Sequence, residues 1–273
     1  MTIDCLLHVH SSFSYDSRMK LADIVAKAKQ HGYRVVLMSE HNNGMTPAVM
    51  EAFVRQCDEL SDDQLLVIPG LELAFDHNRV HLLAYGVRMY LDSTHVGCTF
   101  KSLVDAVRRA GGVCVLAHPS HRRGVDRLSP DDCVDLDGIE IWNVKNGNRF
   151  VPTAADVRVL RRVRDSGGRP FAFGGVDWHH LARFSPMVLR VELSELTPES
   201  VLASLRSGHF TVRGGLVRHS SSGDISTVRL AAYELLSRAM TGTRQFGYRL
   251  QRTLERRGFR TPRALAAIAR RLF

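Results

Sequence analysis

The sequence predicts an α/β fold with a closed or distorted barrel, and two observations carry this prediction. Apolar segments of strand length alternate with amphipathic segments of helical period through residues 1–213, as is typical of α/β proteins with a largely parallel sheet. Several of around seven strands are followed by side chains that can bind metals, and barrels of this type form their active site at the carboxyl ends of the strands. A doubly wound open sheet is the alternative, and it would gather such residues at one switch point.

The strands are predicted from short runs of apolar residues between turn-forming residues: Ile3–His8, Arg34–Ser39, Leu65–Phe75, Val80–Gly86, Val113–Ala117, Gly138–Trp142, Phe171–Val176, Met187–Leu193 and Phe210–Val212. The helices are predicted where apolar residues recur at spacings of three and four: Leu21–His31, Pro47–Leu60, Lys101–Ala110, Ala154–Asp165 and Pro198–Ser207. The last of these has a clear start, because Thr197 can cap it and Pro198 suits the first helical position.

The composition is that of a globular protein with a sizeable core. Hydrophobic residues make up 44% of the 273 residues, and no run of ~18 apolar residues suggests a membrane span. The first residues lack the basic and long apolar regions of a secretory signal. The five cysteines form no CxxC pair, and Cys5 and Cys114 lie in predicted strands, so we expect reduced, buried thiols. These features predict a cytoplasmic location.

The chain is predicted to divide into a body at residues 1–213, a linker at 214–225 and a basic tail at 226–273. The tail holds 11 arginines, no lysine and two acids, a net charge of +9 that equals the charge of the whole chain. The body through residue 225 is therefore about neutral. Three amphipathic helices are expected in this extension, at 227–240, 244–257 and 262–272. Packing on the barrel, contact with nucleic acid and peripheral attachment to an anionic membrane are the alternatives for its role.

Nine side chains that can bind a metal ion are spread over seven segments of the chain: His8, His10, Asp16, His41, Glu72, His81, His118, Asp177 and His179. On a strand, residues i and i+2 point to the same face, so the pairs that begin at His8 and Asp177 can each direct two ligands into one cavity. A single histidine is more often an ordinary strand residue held by a hydrogen bond. A carboxylate such as Glu72 between two leucines is harder to explain without a partner.

Imidazole and carboxylate ligands without thiolate suit Zn, Mn or Fe. Carboxylates can also bridge metals ~3.5–4 Å apart, as two-metal hydrolases require. The expected chemistry is therefore hydrolysis, in which a metal-bridging water loses its proton near neutral pH. Other mechanisms lack their motifs, since neither a Gly-x-Ser-x-Gly elbow nor a Gly-x-x-x-x-Gly-Lys-Ser/Thr loop is present.

Five motifs in one order resemble those of the polymerase-and-histidinol-phosphatase (PHP) superfamily, over about residues 4–213. They are Leu-His-Val-His-Ser-Ser-Phe-Ser-Tyr-Asp-Ser at 7–17, Ser-Glu-His-Asn at 39–42, Pro-Gly-Leu-Glu at 69–72, Ala-His-Pro at 117–119 and Gly-Gly-Val-Asp-Trp-His at 174–179. Glu40 stands where the family often has aspartate. The resemblance implies a distorted seven-stranded (β/α)7 TIM-like barrel that holds three divalent metals.

The resemblance also implies which residues hold each metal. The first would take His8, His10, Glu72 and Asp177. The second would take Glu72, His81 and His118, with Glu72 as the bridge. The third would take Asp16, His41 and His179. Glu72, Asp177 and His179 are the predicted catalytic residues, and His77 and His95 are alternatives to His81.

Cations that orient phosphate are expected on loops after the ligand-bearing strands, because guanidinium groups bind phosphate bidentately. Arg122, Arg123 and Arg149 are the predicted substrate-binding residues. Lys145 and Arg183 follow strands in the same way. Each of these side chains, taken alone, is more often a solvated surface charge.

The sequence thus predicts a metal-dependent phosphoesterase that hydrolyses a small phosphorylated metabolite by attack of a metal-bridging hydroxide. A nuclease or nucleotide phosphatase is the alternative enzyme. Family members of that kind often carry an inserted lid domain, whereas residues 82–117, between two predicted ligands, are largely used by a helix and a strand. A degenerate PHP module that only binds a partner is the non-enzymatic alternative.

Overall fold

The computed structural model describes residues 1–239, which fall in two compact units, Met1–Ile225 and the first part of Ser226–Phe273. In the second unit, residues 227–239 form a helix. The two further helices predicted for the tail lie outside the described residues. No helix among the residues described is long and apolar enough to cross a bilayer.

The first unit contains twelve strands and five α-helices. The strands are β1 Thr2–Val9, β2 Val35–Met38, β3 Glu40–His41, β4 Leu66–Ile68, β5 Gly70–Phe75, β6 Val80–Tyr85, β7 Val113–Ala117, β8 Gly138–Asn143, β9 Phe171–Gly175, β10 Met187–Glu192, β11 Phe210–Gly214 and β12 Val217–Ser220. The helices are α1 Leu21–Gln30, α2 Pro47–Leu60, α3 Phe100–Arg109, α4 Ala154–Asp165 and α5 Pro198–Ser207. The predicted cap of α5 is confirmed, because the Thr197 hydroxyl accepts a hydrogen bond from the Ser200 amide.

The strands form two six-stranded mixed sheets, in the orders β12-β11-β10-β1-β2-β4 and β3-β5-β6-β7-β8-β9. The α/β prediction is confirmed. The sheets are not largely parallel, however, since β5-β6-β7 and β1-β10-β11-β12 are antiparallel runs. Short turns explain two of these pairings, since only four residues separate β5 from β6 and two separate β11 from β12, and such turns join antiparallel neighbours. The pairings of β6 with β7, β10 with β11 and β1 with β10 are made between strands that lie farther apart in the chain.

The hydrogen bonds do not establish a closed seven-stranded barrel. The strand predicted at Leu65–Phe75 is split at Pro69 into β4 and β5, which belong to different sheets. Proline has no N–H to donate to a ladder, and a side chain at Gly70 would collide with the Met38 carbonyl oxygen, 2.5 Å from its Cβ position. On the other side, the two sheets are joined by a parallel bridge between Val9 and Trp178.

The predicted linker at 214–225 contains strand β12, which pairs antiparallel with β11. The strand predicted at Phe210–Val212 is therefore not the last one. All five cysteines are free, and all but Cys98 are buried.

Asp156, in the first turn of α4, holds the segment that follows β7. Its carboxylate accepts a 2.7 Å hydrogen bond from the amide of Ser120, two residues after His118. Burial raises the pKa of Asp156 to about 7, although the hydrogen bonds from Ser120 and the nearby His118 act in the opposite direction. A buried carboxyl group that is neutral below pH 7 thus fixes the loop next to the predicted ligand.

We expect Asp156→Asn to be more stable than the wild type, by a margin that grows between about pH 4 and pH 7 and is constant above. The folded pKa of Asp156, about 7, exceeds its ordinary value of 3.8, so the stability gained from the neutral carboxyl is complete below pH 3.8 and is lost as the pH rises through the folded pKa. Asparagine cannot ionise and keeps an acceptor for Ser120. Thermal unfolding of both proteins from pH 4 to 8 measures the margin. A margin that does not change with pH would contradict this interpretation.

Candidate metal centre

The nine predicted ligands converge at one edge of the two sheets. His8 and His10 lie at the end of β1, His41 in β3, Glu72 in β5 and His81 in β6. The remaining four lie in the segments that follow β1, β7 and β9: Asp16, His118, Asp177 and His179. All are buried except Asp16, which is exposed, and His81, which is half-buried.

Three of these residues have a left-handed backbone, which is costly for a residue with a side chain. The φ angles are 61° at His8, 27° at His118 and 50° at Asp177. The pairing of β1 with β2 slips between Leu7 and Val9, so His8 lies in an irregularity of the strand rather than in regular alternation. Asp177 lies beyond β9, which ends at Gly175. The i, i+2 pairs therefore reach the site through special backbone geometry and not through a regular strand.

The carboxylate of Glu72 lies at the centre of five imidazole rings. Its Oε2 is 3.3 Å from His8 Nε2, 3.2 Å from His10 Nε2 and 3.4 Å from His41 Nδ1. Its Oε1 is 2.5 Å from His81 Nδ1 and 3.2 Å from His118 Nε2. Each carboxylate oxygen thus faces a different set of histidines, which is the arrangement a bridging ligand needs.

Asp177 and His179 join the cluster from the opposite side. Asp177 Oδ1 is 3.8 Å from both His8 Nε2 and His10 Nε2, and 3.2 Å from His179 Nδ1. The other nitrogen of His179 is 3.0 Å from Asp16 Oδ2. The imidazole of His179 is therefore held between two carboxylates.

The residues fit divalent metal ions. Three buried ring nitrogens that face Glu72, namely His8 Nε2, His10 Nε2 and His41 Nδ1, have no hydrogen-bond partner. Leaving such atoms unpaired in a protein interior costs free energy, about 1–3 kcal/mol each, and a metal bound to their lone pairs would remove that cost. An all-nitrogen-and-oxygen donor set suits the metals predicted from the sequence.

The described residues contain three groups whose ligand atoms lie within 4.8 Å of one another: His10, Asp16, His41 and His179; His8, Glu72 and His118; and His8, His10 and Asp177. These groups overlap the three predicted ligand sets but are not identical to them. His10 joins the set predicted for the third metal, and His8 joins Glu72 and His118. His81 belongs to none of the three groups, although it contacts Glu72.

The electrostatics favour charged carboxylates and a neutral His10. Burial alone would raise the pKa values of Glu72 and Asp177, but the surrounding histidines, and Lys145 beside Asp177, hold both below their ordinary range. Burial lowers the pKa of His10 to about 3, against the opposing effect of Glu72. Its imidazole is therefore neutral at neutral pH, which is the form that binds metals.

Groups outside the predicted set fix the orientation of the histidines. The buried Glu140 accepts from His8 Nδ1 at 2.9 Å and from the His118 amide at 3.0 Å. A side chain at Gly175 would put its Cβ 1.9 Å from Glu140 Oε1, so glycine is required there. Asn78 Oδ1 lies 2.9 Å from His81 Nε2, which directs the other nitrogen of that ring to Glu72.

A second buried carboxylate supports the region around His10. Glu40 accepts hydrogen bonds from the hydroxyl groups of Ser11 and Ser14, both at 2.5 Å. The Ser14 oxygen in turn lies 3.2 Å from His10 Nδ1 and accepts from the His41 amide at 2.9 Å. The position where the sequence departs from the family pattern thus has a structural role behind two predicted ligands.

The three predicted substrate-binding arginines differ in their exposure to solvent and in their place in the fold. Arg122 is exposed in the segment after His118, and its charge acts on Tyr15 and His121. Arg123 is 87% exposed and forms an ion pair with Asp126 at 2.7 Å. Arg149 is half-buried between β8 and α4.

Lys145 was outside the predicted substrate-binding set, yet its Nζ lies 3.2 Å from Asp177 Oδ1. The available sequence signal was its place after β8, which it shares with Arg149.

We expect Glu72→Gln to lose more bound metal than Asp16→Asn, because Glu72 contacts five histidines with two oxygens and Asp16 contacts His41 and His179 with one. Elemental analysis of metal per chain, after loading with Mn and removal of free metal, measures the difference. Circular dichroism of both variants is the control for folding. Equal losses in folded proteins would show that Glu72 is not a bridging ligand.

Comparison with known proteins gives a family match for part of the chain. The family model of the PHP domain matches residues 7–112. An error-prone DNA polymerase from Symbiobacterium thermophilum is 32% identical over 126 residues, which cover 45% of this chain and 11% of the polymerase. The chain therefore spans about a tenth of the length of that relative.

Solved structures share the fold at low sequence identity. A two-domain protein from Bacteroides vulgatus containing a predicted PHP-like metal-dependent phosphoesterase has a TM-score of 0.59 and 16% identity, over 80% of this chain and 66% of that one, just under two thirds. PsfC from Pseudomonas syringae gives 0.56 and 16%, over 74% and 88%. A lesion-specific endonuclease from Pyrococcus furiosus gives 0.52 and 17%, over 76% and 56%.

The PHP match includes six of the nine predicted ligands, whereas His118, Asp177 and His179 follow it in the chain. The structure brings those three to the same cluster. The resemblance to the PHP superfamily predicted from the motifs is therefore confirmed, and the chain carries a PHP domain match at residues 7–112.

Proposed function

We propose that this protein is a metal-dependent phosphoesterase that hydrolyses the phosphate ester of a small phosphorylated metabolite. The observation that carries the proposal is the Glu72 carboxylate, buried among five histidines, three of which direct an unpaired ring nitrogen at it. The proposed cofactors are three divalent ions per chain, Zn, Mn or Fe, held by the nine predicted ligands.

When bound, such ions would supply Lewis acidity and lower the pKa of a coordinated water. The chain's own residues would do the positioning. Glu72 would hold the two halves of the cluster together through its separate oxygens. Asp177, buried next to Lys145, would supply negative charge that holds a cation. His179, fixed between Asp16 and Asp177, would keep one ring orientation during a catalytic cycle.

A small substrate is favoured by the short connections around the cluster. Between His81 and His118 the chain forms β6, a loop, α3 and β7, which leaves no room for a lid domain in that part of the chain. We further propose that the two sheets act as one distorted seven-stranded barrel, since β2 continues into β3 and β4 into β5.

A nuclease or nucleotide phosphatase is the second candidate. The observation that favours it is the 32% identity with a DNA polymerase segment, together with the fold shared with an endonuclease. A degenerate binding module is disfavoured because all nine ligand types are present and converge. The cytoplasmic location stays a prediction.

We expect Asp177→Asn and His118→Ala to lower kcat/KM at least about a hundredfold. Removing a group that merely supports a metal ligand already lowers activity up to about a hundredfold, and these two residues are candidate ligands themselves. Asparagine keeps the shape of aspartate and removes the charge that holds a divalent ion. A screen of phosphorylated metabolites and short oligonucleotides, with Mn and with Zn, provides the substrate and separates the two candidate enzymes. Asp105→Asn, which changes an exposed carboxylate paired with Lys101, is the matched control. Wild-type turnover by either site variant would refute the proposal.

We also propose that the basic tail binds a polyanion, either a nucleic acid or an anionic membrane surface. The support is its net charge of +9 against a body that is about neutral. Arginine in place of lysine throughout favours bidentate contact with phosphate. Packing of the tail's apolar residues on the body is the competing interpretation.

We expect the fourfold variant Arg256→Gln, Arg257→Gln, Arg270→Gln and Arg271→Gln to bind single-stranded RNA or phosphatidylserine vesicles at least about tenfold more weakly at low salt, because each arginine near a phosphate surface contributes roughly 1 kcal/mol. Wild-type binding should itself weaken as salt rises. The control replaces four exposed body arginines, Arg18, Arg55, Arg109 and Arg162, with glutamine, for the same loss of charge. Equal weakening in both variants, or no wild-type binding to either polyanion, would contradict the proposal.

A further inference from the structure

The segment between β8 and α4 places a lysine ammonium group at the candidate metal centre. Lys145 Nζ lies 3.2 Å from Asp177 Oδ1 and 3.2 Å from each ring nitrogen of His179. These two residues belong to different groups of candidate ligands, which share His10. The ammonium group therefore stands where the two groups meet, and the side chain is still 44% exposed to solvent.

Asparagine side chains fix the backbone that carries this lysine. Asn143 Oδ1 accepts from the Asn146 amide at 2.6 Å, and Asn143 Nδ2 donates to Glu140 at 2.8 Å. Asn146 Nδ2 donates to Asp177 Oδ2. The amide of Gly147 donates to the Asn143 carbonyl at 3.0 Å. Because these hydrogen bonds already order the loop, it loses little conformational entropy when a ligand binds.

The ion-pair partner of Lys145 differs from those of the arginines in the segment that follows His118. Arg123 is paired with the exposed Asp126, and Arg127 with Asp76, both on the surface. The carboxylate beside Lys145 is instead Asp177, itself a candidate ligand. An ammonium group has three donors, and a carboxylate that shares its charge with a divalent cation attracts that ammonium less. Lys145 then has donors to offer to an anion that approaches the candidate ligands.

We propose that Lys145 binds a non-bridging oxygen of the substrate's phosphate group. The inference rests on the proposed phosphoesterase function and names the residue that recognises the phosphate. A lysine ammonium is a compact point charge, and unlike arginine it can follow an oxygen without requiring a planar bidentate geometry. The side chain both contacts Asp177 and is 44% exposed to solvent, so an incoming phosphate can reach it beside the candidate ligands.

The test uses full-length, Mn-loaded protein and inorganic phosphate as the probe, measured by isothermal titration calorimetry. Lys145→Met keeps the length of the side chain and removes its charge. We expect the Kd for phosphate to rise about tenfold to a hundredfold, as for the loss of a hydrogen bond to a charged group. Lys145→Arg should retain part of the affinity. Lys101→Met, which removes a surface lysine paired with Asp105 and Asp135, is the matched control and should bind phosphate like the wild type.

Two further measurements separate phosphate binding from other roles. Elemental analysis should find the same metal per chain in Lys145→Met and wild type, and with an active substrate KM should rise by more than kcat falls. Unchanged phosphate affinity in Lys145→Met, a loss of metal that accounts for the weaker binding, or a wild type that binds no phosphate would overturn the inference. A wild type without phosphatase activity would refute the proposed function, whereas the phosphate titration would still decide the role of Lys145.

Discussion

The buried carboxylate of Glu72 is the constraint on which the rest of the structure depends. A carboxylate removed from water is costly unless positive charge or hydrogen bonds compensate it. Here the compensation comes from imidazole rings on four separate strands or strand ends, so those strands must meet at one edge. The unpaired nitrogens of His8, His10 and His41 leave the compensation incomplete in the protein alone. A divalent cation would satisfy the carboxylate and the rings together.

A second layer of polar groups makes this convergence specific. An imidazole has two nitrogens, and a partner on one of them decides where the other points. Glu140 fixes His8, Asn78 fixes His81, and Ser14, itself held by Glu40, faces His10. Each of these partners lies on the outer side of its ring and directs the free nitrogen inward. The left-handed backbone at three ligand positions costs conformational free energy, and the surrounding hydrogen bonds hold the chain in that conformation.

The distribution of charge separates two proposed tasks along the chain. The body is about neutral overall, so we expect substrate recognition there to depend on a few cations placed at the cluster, such as Lys145 in the role proposed above. The arginines of the tail act over longer distances in dilute salt, where screening is weak. The chemistry of the centre and attraction to a polyanion can therefore vary independently.

The sequence by itself determined the helices, most of the strands and the inventory of the site. Three helices, Pro47–Leu60, Ala154–Asp165 and Pro198–Ser207, have the predicted bounds, because helical periodicity and caps are local properties. The nine candidate ligands were recognisable because their residue types and order follow the PHP motifs, and neither feature depends on long-range contacts.

Only the tertiary structure decided how the strands pair and which other groups reach the site. Strand pairing depends on contacts between distant segments, so the break at Pro69 and the mixed sheets were not apparent from apolar runs. Lys145 was not distinguishable from Arg149, because the loop that carries Lys145 is held against Asp177 by Asn143 and Asn146, and the sequence does not show this contact. Such bracing joins residues more than thirty positions apart, beyond the range of any local pattern.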